Sequence, residues 1–291
     1  MQFKSLLFIL LVVLISSCEK DVNIPLPDEA NKLVLNLIMN KDSIMMARVN
    51  ISERMNQLQP TAEVKNAVVS LYENGTFKET LTPIEYSYRT YYRSKTVPRA
   101  GATYKVTAAV PGYTGEAWGT DVIPDTVKIG ELKLTHVQVN NNLGRATISV
   151  QLHDDPAVQN YYRVRVYFIN EWVDANGNGG WQKNQQYFEA EEANLNIFSD
   201  KLRPEFFTTD ALFNGRSPRF TFRTDTYNNV KKILVEISSL TYNSYNYLHS
   251  AFMAREKNED GLSEKVIVFN NIENGLGIIG GVAQREYVLV K

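Results

Sequence analysis

Gly275-Leu276-Gly277-Ile278-Ile279-Gly280 has the G-x-G-x-x-G spacing that cradles the pyrophosphate of a dinucleotide. In that role the glycines follow a strand, open a helix, and precede by about 20 positions an acidic residue that holds the ribose. Residues 265–269 offer the strand, but residues 282–290 alternate like a second strand, and there is no room for another half of a βαβ unit. No nucleotide and no other cofactor is therefore expected. The plainer reading is mechanical: Gly275, Gly277 and Gly280 shape a β turn or bulge. Positive φ at Gly275 and Gly277 lets the chain re-enter a sheet with Ile278 and Ile279 inward.

Other residues invite chemistry with less support. Asp174-Ala175-Asn176-Gly177-Asn178-Gly179 resembles the first half of a calcium loop. Its twelfth position is Gln185 where an EF-hand needs a bidentate Glu, and a Gly- and Asn-rich hairpin loop explains the same residues. His136, His153 and His249 lie in separate segments, and only His153 neighbours carboxylates, Asp154 and Asp155, beside Pro156 in what reads as a turn. Nothing has metal-ligand spacing. Glu189, Glu191 and Glu192 offer carboxylates for glycoside cleavage, which needs two of them about 5–10 Å apart across a cleft; a solvated face is the default. No catalytic residue and no metal site is expected.

The start of the chain carries clearer chemistry. A charged residue, Lys4, precedes an apolar run from Leu6 to Ile15, and Ile15-Ser16-Ser17-Cys18 follows. That order is a secretory signal, and the apolar run is shorter than the roughly 20 residues needed to span a bilayer. An aliphatic residue and two small ones ahead of the only cysteine form a lipoprotein signal whose thiol receives the lipid. An ordinary cleaved signal with an incidental cysteine is the plain alternative. Residues 1–17 are thus expected to be removed, with residues 18–30 as a tether and acylated Cys18 binding outer-membrane lipid. Glu19-Lys20-Asp21 partly matches a surface-export tag, so the periplasmic and outer faces both stay open.

These features must be carried by the body of the chain. Its 31 basic and 32 acidic residues nearly balance and form no basic cluster, which argues against nucleic acid as a partner. Its 16 Tyr and 13 Phe favour strands. Alternating segments separated by turn signals such as Asn74-Gly75 and Pro111-Gly112 predict an immunoglobulin- or fibronectin-like β-sandwich over residues 30–124. After Pro124-Asp125 the strand rhythm continues into a second β-rich domain, residues 125–291. That domain should carry one amphipathic helix over residues 243–257, where Tyr245, Leu248 and Phe252 recur at helical spacing.

Tyr86, Tyr88, Tyr91 and Tyr92 interleave with Arg89 and Arg93. Exposed Tyr and Arg are enriched where proteins meet partners, and these six are the candidate partner surface. Ordinary cross-strand pairing on a sandwich accounts for the same pattern.

The run Asn270-Asn271-Ile272-Glu273-Asn274-Gly275-Leu276-Gly277 resembles the C-terminal signature of a Bacteroidota lipoprotein family known as domain of unknown function 4249. The lipoprotein signal, Asn66-Ala67-Val68-Val69-Ser70-Leu71-Tyr72, Gly101-Ala102-Thr103-Tyr104 and Asp210-Ala211-Leu212-Phe213-Asn214-Gly215 extend the resemblance over nearly the whole chain. The resemblance implies an outer-membrane lipoprotein, often encoded beside TonB-dependent receptors, and brings no catalytic residues. The expected function is a non-enzymatic binding or scaffold accessory, with a TonB-dependent β-barrel as candidate partner. The competing class is a cell-envelope glycan hydrolase. Two close carboxylates in an aromatic-lined cleft would favour the hydrolase.

Overall fold

The computed structural model describes residues 31–52, 63–174, 176–192, 197–198, 201–227, 230–257 and 264–290. Cys18, the signal and the tether lie outside the described residues. The first strands are β1 (Leu33–Asn40), β2 (Met46–Ile51), β3 (Val68–Glu73), β4 (Thr76–Thr80), β5 (Thr82–Tyr86), β6 (Arg89–Arg93), β7 (Thr103–Ala109) and β8 (Ala117–Val122). The later strands are β9 (Lys128–Gln138), β10 (Leu143–His153), β11 (Tyr161–Val173), β12 (Gly179–Gln186), β13 (Glu189–Glu192), β14 (Ile197–Phe198) and β15 (Glu205–Thr209). β16 (Arg219–Tyr227), β17 (Lys232–Leu240), the helix α1 (Tyr242–Lys257) and β18 (Leu276–Val290) complete the fold. The chain is mainly β with a single α-helix among the described residues, and its sheets are consistent with sandwich packing.

One long sheet runs through the molecule in the order β12-β11-β17-β18-β1-β2-β6-β5, with β15 also on β11. A four-stranded sheet, β4-β3-β7-β8, and a five-stranded sheet, β14-β13-β16-β10-β9, complete two cores. The first core joins Leu35, Leu37 and Met39 of β1 to Leu71, Tyr104 and Val106 of the four-stranded sheet. The second joins Val164, Val166, Ile233 and Val235 of the long sheet to Ile148, Val150 and Phe222 of the five-stranded one. In β18, Ile279 enters the first core while Tyr287 and Leu289 pack on the second. Strand side chains alternate with period two, so these three odd positions share one face, and both small sheets lie on that face of the long sheet. Val282, on the opposite face, packs with Leu240, Tyr161 and the α1 residues Tyr245 and Leu248.

β18 joins the two halves. Its first half pairs parallel with β1, Leu276–Val282 against Val34–Asn40, and its second half pairs antiparallel with β17. Pro124 does lie between the two cores, yet residues 31–291 form one compact unit because the long sheet crosses that point. The division into residues 30–124 and 125–291 is therefore corrected to two sandwiches with a common wall. A strand contributed from far along the chain carries no local sign of where it will pair.

The first sandwich is locked by a buried charge. Glu73 closes β3 and is 6% exposed. It accepts from Tyr104 Oη at 2.8 Å and from Arg99 Nη2 at 2.7 Å, and meets Lys78 Nζ at 2.6 Å. The hydrogen bonds from Lys78 and Arg99, with that from Tyr104, hold its carboxyl well below the usual 4.5, at about 2. A depressed carboxyl pKa contributes stability that is present above 4.5 and is lost as pH falls toward about 2. Urea unfolding followed across that window should show a steep acid loss in the wild type and a shallower one in Glu73→Gln. Parallel slopes would contradict this account.

Candidate functional site

The tyrosine and arginine residues lie at the outermost edge of the long sheet. The structure makes them a hairpin. β5 and β6 pair as Thr82↔Arg93, Ile84↔Tyr91 and Tyr86↔Arg89, joined by Ser87 and Tyr88. Both joining residues have positive φ, 51° and 60°, the geometry of a tight two-residue turn usually given to Asn or Gly. Holding two such residues there costs energy, and a strained turn bearing a large side chain points to a use for that side chain. Tyr88 is 96% exposed and Tyr86 62%. Tyr86 and Tyr91 pack edge to face with centroids 6.3 Å apart, beside exposed Arg89 and Arg93.

Tyr92 does not belong to this surface and is corrected to a core residue. It is fully buried, its hydroxyl donates to Val64 O at 2.8 Å, and it accepts from the Ala67 amide at 2.9 Å. Period-two alternation requires this: Thr90 and Tyr92 face the first core while Arg89, Tyr91 and Arg93 face outward. The exposed members of the candidate surface are thus Tyr86, Tyr88, Arg89 and Arg93, with Tyr91 half-buried beside them. Pro83 sits in β5 and has no N–H to offer, so this edge is blunted against strand addition.

From Leu276 onward the glycine run is strand β18, with no helix opening from it, and Gly275 lies in the bend just before. Gly277 has φ +117°, and a Cβ there would stand 2.2 Å from Leu35 O. Gly275 is needed for close approach, its Cβ position lying 2.7 Å from Leu33 O; the positive φ beside it belongs to Asn274, at 56°. A Cβ on Gly280 would meet Ser244 Oγ of α1 at 2.3 Å. Ile278 and Ile279 are both buried, on opposite faces. The preceding residues complete the seam. Asn271 reads the Ile279 backbone with both side-chain atoms, at 2.8 and 3.0 Å, and Glu273 exchanges backbone hydrogen bonds with Trp118. This signature anchors β18 against β1 and β8.

Asp174, the three histidines and Glu189 are engaged in the framework. Asp174 Oδ1 accepts from the Asn176 and Asn178 amides at 2.9 and 2.8 Å, and the Asn178 side chain holds its carboxyl below the usual range. His153 Nδ1 lies 2.8 Å from Ser217 Oγ, and His136 Nε2 3.0 Å from Thr226 Oγ1. His249 stacks on Tyr245, and Glu189 accepts from Arg223 Nε at 2.7 Å. Among the described residues no group of three or more His, Cys, Asp or Glu is placed to hold a metal ion.

Two features had no local signal. On the helix face of the long sheet, Glu236 is 1% exposed and is met by Arg163, Arg165 and Lys183, its ion pairs crossing from β11 and β12 to β17. Burial pushes the Arg163 guanidinium down. The second feature is an open cleft of about 1580 Å³ where the chain passes from β8 to β9. Tyr242 and Tyr287 line it, together with Asp121, Asp125, Asp154 and Asp155. Its two more enclosed carboxylates are committed. Asp121 accepts from the Thr241 hydroxyl and from the Gly281 and Val122 amides, while Asp154 accepts from Tyr162 Oη at 2.6 Å and the Gly215 amide at 2.8 Å.

Fold and surface together define a mainly β protein whose two sandwiches share one sheet and whose sheet edge ends in an exposed tyrosine–arginine hairpin. The chain belongs to the family described as Domain of unknown function (DUF4249), which it matches over residues 19–287. The match takes in both sandwiches and α1. No curated protein matches the chain.

Proposed function

We propose that this protein is a non-enzymatic accessory of the outer membrane, lipid-anchored through Cys18, that meets a TonB-dependent β-barrel through the β5–β6 hairpin. The observation that carries the reading is Tyr88, 96% exposed on a positive-φ turn with Arg89 and Arg93 beside it. Rigid aromatic rings with adjacent guanidinium groups are the side chains that dominate binding energy at protein interfaces. A surface on a sheet edge is held by the sandwich beneath it, so little ordering is needed on docking. The glycan hydrolase reading needs a free carboxylate pair. The two enclosed carboxylates of the cleft, Asp121 and Asp154, are occupied by framework hydrogen bonds, and Asp125 and Asp155 lie exposed at its surface, which supports the binding role.

A tagged chain extracted in mild detergent should incorporate a clickable fatty acid at Cys18 and recover one outer-membrane barrel in near-equal amount. Tyr88→Ala combined with Arg89→Ala and Arg93→Ala should reduce that recovery about tenfold or more. The same variant should melt with the wild type, because none of the three side chains is buried. Label absent from the wild type would remove the anchor, and undiminished recovery by the variant would remove the hairpin.

A further inference from the structure

We infer that the cleft between the two small sheets is a binding site for a neutral carbohydrate chain. The inference stands on different residues from the hairpin. Its central feature is Tyr242, the first residue of α1, 58% exposed in the cleft wall. Tyr161 meets this ring edge to face at 6.0 Å and 71°, and Phe269 does so at 6.1 Å and 89°. An aromatic side chain on the surface ordinarily gains little from being fixed. This one is held by two rings while a large part of it stays open, so it forms a prebuilt platform. Tyr287 gives a second, half-buried ring in the same cleft.

The polar lining selects the ligand class. Asp125, Lys128, Gln159 and Arg285 are exposed in the cleft and make no side-chain hydrogen bond or ion pair among the described residues. They supply donors and acceptors of both signs. Acidic Asp121, Asp125, Asp154 and Asp155 stand against basic Lys41, Lys128 and Arg285, so no cationic surplus exists to hold a phosphate or another anion. The same mixed charge disfavours a lipid chain, whose burial would desolvate these groups without pairing them. A sugar chain fits both halves of the lining: its C–H faces lie on aromatic rings and its hydroxyls give and accept hydrogen bonds. A volume of about 1580 Å³ is larger than the usual pocket for a small molecule, which suits several linked rings. The enclosed carboxylates, Asp121 and Asp154, already accept framework bonds, which favours holding a sugar over cleaving it.

The test uses the chain beginning after Cys18, washed over an array of short immobilised neutral oligosaccharides and, in parallel, over an array of short peptides. Retention on at least one sugar is expected. Calorimetry with that sugar should show binding weakened about tenfold in Tyr242→Ala, and nearly unchanged in Tyr242→Phe. Tyr88→Ala, which belongs to the hairpin, should bind the sugar like the wild type. The bound sugar should be recovered at full length. The proposal is overturned by an array with no retained sugar, by retention only on peptides, by a Tyr242→Ala variant of unchanged affinity, or by released reducing ends.

Discussion

Gly281→Ala is expected to cost about 3 kcal/mol or more of folding stability, a large share of what holds a typical domain together. The added Cβ would stand 1.8 Å from the Val122 carbonyl oxygen, and Pro124 Cδ lies 3.2 Å away on the same side. No rotamer relieves a clash between a Cβ and a main-chain oxygen, so β18 and β8 must part. Gly281 also donates to Asp121 and accepts from the Thr241 amide, so a displacement breaks those bonds too. Gly277→Val should be comparably damaging, because a Cβ 2.2 Å from Leu35 O is compounded by φ +117°. The contrast is Gly75→Ala. That residue has φ +80° with nothing near its Cβ position, and should cost only about 1 kcal/mol. Chemical denaturation of the three variants separates steric seam from simple turn; a Gly281→Ala midpoint close to that of Gly75→Ala would contradict the seam.

Asp121→Ala is expected to lose about 2–4 kcal/mol through the same junction. The carboxylate holds together the end of β8, the Gly281 amide of β18 and Thr241, whose hydroxyl caps the Ser244 amide at the start of α1. Removing it strands several buried donors at once, which is more costly than losing a single bond. Asp121→Asn gives a sharper result. Burial pushes the Asp121 carboxyl above its ordinary value, against the pull of its hydrogen bonds. A raised pKa means that the fold binds this proton more tightly than the unfolded chain does. Its contribution is present at low pH and is lost as pH rises through the folded value. The stability gap between wild type and Asp121→Asn should therefore be widest in acid and narrow toward neutrality, opposite in sense to Glu73. A gap independent of pH would show that the carboxyl titrates as it does in the unfolded chain.

The elements themselves were largely legible in the sequence. Period-two alternation marked strands such as β1, β3, β7 and β11, and helical spacing placed α1 to within one residue of its observed start. Three things were not legible, each for a physical reason. The parallel pairing of β1 with β18 depends on contacts between opposite ends of the chain, and hydrophobic period carries no information on partners. The Ser87-Tyr88 turn was hidden because neither residue is a usual positive-φ type, so hairpin and strand looked alike and Tyr92 was counted with its exposed neighbours. The Asp121 junction was invisible because one acid in a β segment reads as a solvent-facing position until its partners, Thr241 and Gly281, arrive from far along the chain. The glycine signature reads as a turn or bulge in the sequence, whereas the register places Gly277 and Gly280 within β18 and shows that Gly275 and Gly280 serve close approach.

The most direct measurement places a photo-crosslinking amino acid at position 88 of the full-length protein in intact cells. A matching probe at position 137 serves as control, where Val137 is 60% exposed on β9 of the other sandwich. The account predicts one dominant adduct from position 88, its partner an outer-membrane β-barrel, and none of that size from position 137. Adducts to the same barrel from position 137 and not from 88 would contradict it, as would a position-88 probe that crosslinks to nothing while the protein remains folded and anchored.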